Sequence, residues 1–276
     1  MNKHKLMTFI AFTYGISWLI WLPNVLAGLF DVGWEVSNWL HIAGGLGPFL
    51  GAVITTAIFE KRAGVARYFR DKLFTPPSPC WTLVGVGMPI LFFAVPALAL
   101  GLFTGDWVEL ADLGLNSKLP FTNPLLIWLL WCIFYGIGEE GGWRGLLFPE
   151  LIKTYPARIS TLYVALVWAP WHLPVFLYDK DLGSMGFFGT IGWAVGLLFG
   201  SLLLGWLVKR ARFNLWPVIL WHGTFNFFTV SDRINPLYPG LMSALVIGVS
   251  LWIARRTGEQ LDESLVGMGR NNDNPT

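Results

Sequence analysis

Long apolar runs recur along this chain, and most charged residues fall between them. A helix needs about 20 consecutive, mainly apolar residues to cross a hydrocarbon core of roughly 30 Å. Eight runs come near that length, at positions 7–29, 42–59, 81–103, 123–143, 159–178, 186–208, 214–231 and 237–254. We therefore predict an all-α fold, a polytopic membrane bundle of about eight transmembrane helices.

The ends of these runs predict the domain organisation. The apolar pattern covers positions 1–256 without a soluble insertion, which indicates a single integral-membrane helical domain. The second run begins with Gly44-Gly45-Leu46-Gly47-Pro48, and this density of glycine and proline predicts a break in the helix. From Thr257 onward no periodic apolar face is present, so we expect 257–276 to be a disordered cytoplasmic tail.

Composition agrees with a membrane protein. Hydrophobic residues make up 54% and charged residues 13% of the 276 positions, and the mean hydropathy is +0.56. These values lie far from those of soluble domains. The expected surroundings are a lipid bilayer, and neither the composition nor the net charge of +2 suggests a nucleic-acid partner.

The distribution of positive charge predicts the orientation. Of the 19 Lys and Arg residues, 15 fall in the N-terminal segment, in 60–80, 149–158 and 209–213, and in the C-terminal segment from Arg255 onward. Only Lys118, Lys180 and Arg233 fall in the loops between these segments. Since loops rich in Lys and Arg stay in the cytoplasm, both termini are predicted to be cytoplasmic, in the plasma membrane if the host is a prokaryote.

Three charged side chains end the fourth apolar run. Each unpaired charge in hydrocarbon costs about 2.5–3.5 kcal/mol on insertion scales. Glu140 and Arg144 are four residues apart, so on a helix they share a face and can pair, whereas Glu139 points about 100° away. Glu139 is thus the spare carboxylate, either a functional group or a hydrated residue beside a structural ion pair.

Two histidines lie within apolar runs, where a titratable ring is rare. His172 is flanked by Pro170 and Pro174, which each remove a backbone donor and loosen the helix. His222 and Asn226 are four residues apart and face the same way. Each histidine taken alone could simply form an interhelical hydrogen bond that fixes packing. Together with Glu139 they place polar groups on three helices, which indicates a site.

These residues resemble the CAAX protease and bacteriocin-processing family of intramembrane glutamate proteases, which includes the type II CAAX prenyl endopeptidases. The family pattern is Glu-Glu-x-x-x-Arg, then Phe-x-x-x-His, then His-x-x-x-Asn, on separate helices. Here the segments read Glu139-Glu140-Gly-Gly-Trp-Arg144, Trp168-Ala-Pro-Trp-His172 and His222-Gly-Thr-Phe-Asn226. The resemblance covers about 121–231, and Trp168 replaces the usual Phe.

The resemblance implies an endopeptidase that cuts near the C-terminus of peptides or proteins, including prenylated CAAX substrates. It implies that Glu139 is the general base on a water held jointly with His172, and that His222 and Asn226 stabilise the oxyanion. Glu140 and Arg144 would support the turn, and Trp168 would border the substrate groove. The reaction so described needs no metal or cofactor.

Two other interpretations of the same residues stay open. Glu139, His172 and His222 could be a catalytic zinc site, since two His and one carboxylate with an open position is a known arrangement. The sequence has no His-Glu-x-x-His motif, however. The second alternative is a non-enzymatic immunity, transport or scaffold protein in which these groups form a structural network.

Overall fold

The computed structural model describes residues 2–30 and 37–263, and the regular structure within these ranges is entirely helical. The α-helices are α1 (Lys3–Leu29), α2 (Asn38–Gly44), α3 (Gly47–Phe69), α4 (Pro79–Thr104), α5 (Pro124–Trp131), α6 (Gly138–Gly142), α7 (Phe148–Leu151), α8 (Ala157–Trp171), α9 (Lys180–Gly183), α10 (Gly186–Arg210), α11 (Trp216–Thr229) and α12 (Leu237–Glu263). The prediction of an all-α polytopic bundle is confirmed.

The predicted count of about eight membrane-crossing helices is not confirmed. Within the described residues six helical stretches are long and apolar enough to cross: Lys3–Leu29, Pro79–Thr104, Pro124–Leu151, Ala157–Leu177, Gly186–Arg210 and Leu237–Arg256. A seventh is the pair α2 and α3, which meet at a 42° bend. The predicted run 214–231 is α11, whose 14 residues reach only about 21 Å. That is short of the hydrocarbon core.

The predicted break near Pro48 is present. Helix α2 ends at Gly44, and α3 begins at Gly47 with proline in its first turn, where the missing N–H is harmless. The Ser17 hydroxyl of α1 donates to the Gly44 carbonyl at 2.7 Å. A Cβ at Gly47 would lie 1.9 Å from Ser17 Oγ, so α1 packs directly on the break.

Helix α3 is longer than the apolar run that predicts it. It kinks at Lys61, where φ is 57°, and continues to Phe69, with a π-helical turn over Arg70–Phe74. The segment 60–80, predicted to be a loop, is therefore largely helical. Tyr68 explains the extension, because it is buried and its hydroxyl donates to the Gly141 carbonyl at 2.6 Å.

The helix that carries the Glu-Glu-x-x-x-Arg motif is irregular. Helices α5, α6 and α7 form one stretch, joined by π-helical segments at Cys132–Ile137 and Trp143–Leu147. A π segment inside an α-helix is frequently found at a functional site. The two segments bracket α6, so both glutamates lie between distortions of the helix.

Charged clusters lie at the two ends of the bundle. Lys5 Nζ is 2.6 Å from carboxylate oxygens of both Glu60 and Glu150. At the opposite end, Lys118 Nζ lies 2.8 Å from Asp179. The N-terminus, the start of 60–80 and the start of 149–158 thus meet at one end, as the charge pattern requires. Which end faces the cytoplasm stays a prediction.

The last helix passes the predicted end of the membrane domain. Helix α12 continues to Glu263, so positions 257–263 of the predicted tail are helical. The remaining positions, 264–276, lie outside the described residues. The division of the chain at 256 and the disorder of the tail therefore stay predictions.

Candidate active site

Helix α6 docks closely against the break between α2 and α3. A Cβ at Gly138 would lie 2.3 Å from the Gly45 carbonyl oxygen, and one at Gly142 would lie 2.4 Å from Pro48 Cβ. Both glycines face the same way, because they are four residues apart. This small-xxx-small spacing lets two backbones approach in a membrane. The docking leaves Glu139 and Glu140 enclosed, with 1% and 0% of their surfaces exposed.

Glu139 is bound by two tryptophan side chains. Its Oε2 accepts a hydrogen bond from Trp168 Nε1 at 2.5 Å and from Trp143 Nε1 at 3.3 Å. Both donors are neutral, so they satisfy hydrogen-bonding capacity without compensating the charge. The spare carboxylate of the sequence pattern is thus buried among indoles.

Glu140 is bound by a guanidinium and an imidazole instead. Its Oε1 accepts from Arg144 Nη1 at 3.1 Å, which is the predicted pair, and lies 2.7 Å from His222 Nδ1. A carboxylate accepts, so the hydrogen of that second bond belongs to His222. Glu140 Oε2 and Arg144 Nη2 are buried without partners among the described residues. Glu140 therefore links the first motif to the third.

His172 lies at the C-terminal end of α8. Its Nδ1 is 3.0 Å from the Trp168 carbonyl oxygen, which can only accept, so Nδ1 carries the hydrogen. In the neutral ring this leaves Nε2 as an acceptor. The ring packs at 4.8 Å from Trp171 and 5.1 Å from Trp193, measured between centroids.

Trp168 lies at the centre of the three motifs. Its ring centroid is 6.2 Å from that of His172 and 5.8 Å from that of His222, and the Arg144 guanidinium carbon is 4.6 Å above its face. The side chain is only 7% exposed. Its predicted place beside a substrate groove stays a prediction, since in this structure it is buried among the motif residues.

Asn226 lies one helical turn beyond His222 on α11. Its side chain is half-buried and forms no hydrogen bond with the other described residues. Helix α11 reaches the site because Gly223 packs on Cys132, where a Cβ would lie 2.4 Å from Sγ. The amide of Asn226 is therefore available to a ligand.

The described part of the chain contains no cluster of metal-binding side chains that would support the zinc interpretation. No group of three or more His, Cys, Asp and Glu side chains there could hold a metal ion. His222 Nδ1 is engaged by Glu140. The described side chains of Glu139, His172 and His222 therefore do not form a three-ligand set.

Two features of the site were missed by sequence reasoning. Trp143 is four residues after Glu139, so the helical spacing already placed its indole on the same face. The contact between Glu140 and His222 had no signal in the chain, because it joins residues 82 positions apart.

Comparisons with known proteins give two findings. The family described as type II CAAX prenyl endopeptidase Rce1-like matches residues 121–228, which hold all three motifs. The chain is also 27% identical, over 88% of its length, to a protein of Nocardia farcinica described as a probable cytochrome c oxidase subunit 1-beta. It spans 45% of that protein's length. A likeness of this size between two apolar chains also follows from shared composition, whereas the family match covers all three motifs.

Proposed function

We propose, on the premise that residues 121–228 are an Rce1-like region of the type II CAAX prenyl endopeptidase kind, that this protein is an intramembrane endopeptidase in which Glu139 activates the attacking water. The observation that supports this most is the convergence of motifs from three helices on Trp168. A buried carboxylate, whose hydrogen-bond partners in the described part of the chain are neutral, lies there beside two imidazoles.

The first step would be proton transfer from water to Glu139. Water is a poor nucleophile until a positioned base takes its proton. His172 Nε2, free to accept, would orient that water by taking a hydrogen bond from its second hydrogen. The oxygen would then attack the peptide carbonyl carbon, and Glu139 would return the proton to the leaving amine as the C–N bond breaks.

The second requirement is stabilisation of the oxyanion on the former carbonyl oxygen. Asn226 would donate from its free side-chain amide. His222 would donate from Nε2 while Nδ1 donates to Glu140. A ring that donates from both nitrogens is an imidazolium cation, and the adjacent Glu140 carboxylate stabilises that cation. Glu140 and Arg144 would thereby support the oxyanion site as well as the fold.

The substrate would be a peptide or protein cut near its C-terminus, and a prenylated CAAX peptide is the form to which the family description points. No metal or cofactor takes part in the steps above. The protein would act in the plane of the bilayer, with both termini in the cytoplasm and, in a prokaryote, in the plasma membrane.

A cleavage assay on the purified protein tests the proposal. A farnesylated CAAX peptide and the same peptide without the farnesyl group would be incubated with the detergent-solubilised protein, with and without a strong zinc chelator. We expect cleavage that survives the chelator. Cleavage abolished by the chelator and restored by zinc would favour the metalloprotease alternative.

Binding without cleavage would favour the immunity, transport or scaffold alternative. The same two peptides would therefore be tested for binding by fluorescence anisotropy. The proposal fails if the folded protein binds either peptide and cleaves neither one.

A further inference from the structure

The indole of Trp168 makes a hydrogen bond that the phenylalanine usual at this motif position could not make. Phenylalanine, usual at this position, has no N–H, whereas Trp168 Nε1 donates to Glu139 Oε2 at 2.5 Å. The second donor, Trp143 Nε1, is farther from the same oxygen at 3.3 Å. Both indoles are buried, with 7% and 0% exposure, so water does not compete for these bonds.

A hydrogen bond to a carboxylate favours its ionised form, because the donor has no comparable interaction with the protonated oxygen. In a buried site this effect is large, since low local polarity strengthens the bond. Among the described residues, no cation lies within hydrogen-bond distance of the Glu139 side chain, and Arg144 is engaged by Glu140. The two N–H groups therefore act on the basic group itself.

We propose that Trp168, assisted by Trp143, is a positioning residue that fixes the Glu139 carboxylate among the three motifs and favours its ionised form. This inference deepens the proposed function, and it rests on Glu139 being the base. The contacts that hold the ring in place support it: the Arg144 guanidinium lies over one face of Trp168, and His222 meets the ring edge to face.

Trp168→Phe is the direct variant, because it removes the N–H and keeps an aromatic ring. Benzothienylalanine at position 168 is the second variant, since it replaces N–H by sulfur in a bicyclic ring of nearly the same shape. If the smaller phenyl ring of Trp168→Phe destabilises the fold, the benzothienylalanine variant still tests the loss of the N–H. Trp143→Phe removes the longer hydrogen bond.

Trp206→Phe is the matched control. Trp206 Nε1 is buried and has no partner among the described residues, and its ring packs against Trp81 rather than against the site. This variant removes an indole N–H and the same volume without touching Glu139. We expect it to behave as the unmodified protein.

Two readouts separate this inference from the proposed function. The first is the pH profile of peptide cleavage, whose acid limb reports the base. The second is an infrared titration of the protonated carboxyl band of Glu139, which is identified by its absence from the spectrum of Glu139→Gln. This measurement does not require the protein to cleave a peptide.

Loss of one hydrogen bond to a charged group should move the midpoint of the cleavage profile and that of the infrared titration upward by about one pH unit. This shift corresponds to a roughly tenfold higher proton affinity of Glu139. We expect this for both variants at 168, with a smaller shift for Trp143→Phe and none for Trp206→Phe. An unchanged infrared midpoint in folded benzothienylalanine protein would overturn the inference. An infrared shift in a protein that cleaves nothing would support it and reject only the protease function.

Discussion

Glu139 and Glu140 are adjacent and chemically identical, yet their surroundings differ in kind. Among the described residues, Glu140 is bound by a guanidinium, which compensates its charge, and by an imidazole N–H, whereas Glu139 is bound by neutral indoles only. Two carboxylates held in such different environments can take separate roles, one as a fixed counterion and the other as an acid or base.

Exchanging each glutamate for glutamine tests this division. Glu139→Gln keeps the shape and removes the proton acceptor, so turnover should fall at least about 10²-fold while folded yield and peptide binding are retained. Glu140→Gln leaves a buried guanidinium uncompensated, so its main effect should be a lower folded yield. Folded yield by size-exclusion chromatography and turnover of the CAAX peptide are the measurements. Substantial turnover in Glu139→Gln, with metal chelated, would remove the glutamate mechanism.

Asn226 tests the oxyanion role. Asn226→Ala removes one donor and should lower kcat by about 10²–10³, with little change in peptide affinity, because the contact strengthens only in the transition state. Thr229→Ala is the control on the same helix, since among the described residues the Thr229 hydroxyl bonds only the Phe225 carbonyl of its own helix. If Asn226→Ala instead loses peptide binding, that residue belongs to the substrate groove.

At the scale of the elements, the site depends on close backbone packing around a distorted helix. Helix α6 lies between two π-helical segments and packs on the α2–α3 break through Gly138 and Gly142. The atoms that oppose these glycines include backbone and a proline ring, which cannot move aside as a flexible side chain can.

Gly138→Ala should therefore lower both thermal stability and activity. The added Cβ would lie 2.3 Å from the Gly45 carbonyl oxygen, so α3 or α6 must shift. Gly87→Ala in the middle of α4 is the matched control, because nothing lies within 4 Å of its Cβ position. Alanine favours a helix over glycine by about 1 kcal/mol, so the control should be neutral or slightly more stable. Equal unfolding temperatures for the two variants would show that this close packing is unimportant.

At the scale of the whole molecule, the two charged ends define an axis whose direction the positive charges predict. Arg62 and Thr122 are exposed and belong to segments predicted on opposite sides. Cysteine introduced at 62, in a Cys80→Ser background, should resist a membrane-impermeant thiol reagent in intact cells and react after lysis. Cysteine at 122 should react in intact cells. The reverse labelling pattern would show that the protein lies in the membrane in the opposite orientation to the predicted one.

The cluster around Lys118 should make stability depend on pH. Burial opposes the charge on Asp179, but Lys118 beside it holds the pKa of that carboxyl below 3.8. Burial also opposes the charge on the half-buried Lys118, but Asp179 and Asp181 hold the pKa of its ammonium group above 10.5. The contribution of Asp179 to the free energy of unfolding is fully present above pH 3.8 and is lost as the pH falls through its lowered pKa. The contribution of Lys118 to the same free energy is fully present below pH 10.5 and is lost as the pH rises through its raised pKa.

Lys118→Ala should therefore lower the unfolding temperature most between about pH 4 and pH 10, and the difference from the unmodified protein should shrink in acid. Thermal unfolding in detergent across that range is the measurement. Lys180→Ala is the control, since Lys180 is exposed and neighbours the same cluster. A difference that is independent of pH would show that Lys118 acts through packing alone.

The sequence alone determined the membrane fold, the break before Pro48, the Glu140–Arg144 pair and the candidate residues on three helices. These follow from local rules, because the length of an apolar run and the i, i+4 spacing need only neighbouring residues. Only the tertiary structure decided the rest: the length of α3, the shortness of α11, the binding of His222 to Glu140 and of Trp168 to Glu139. Those features join residues far apart in the chain, and no periodicity within one helix specifies which side chain of another helix it will meet.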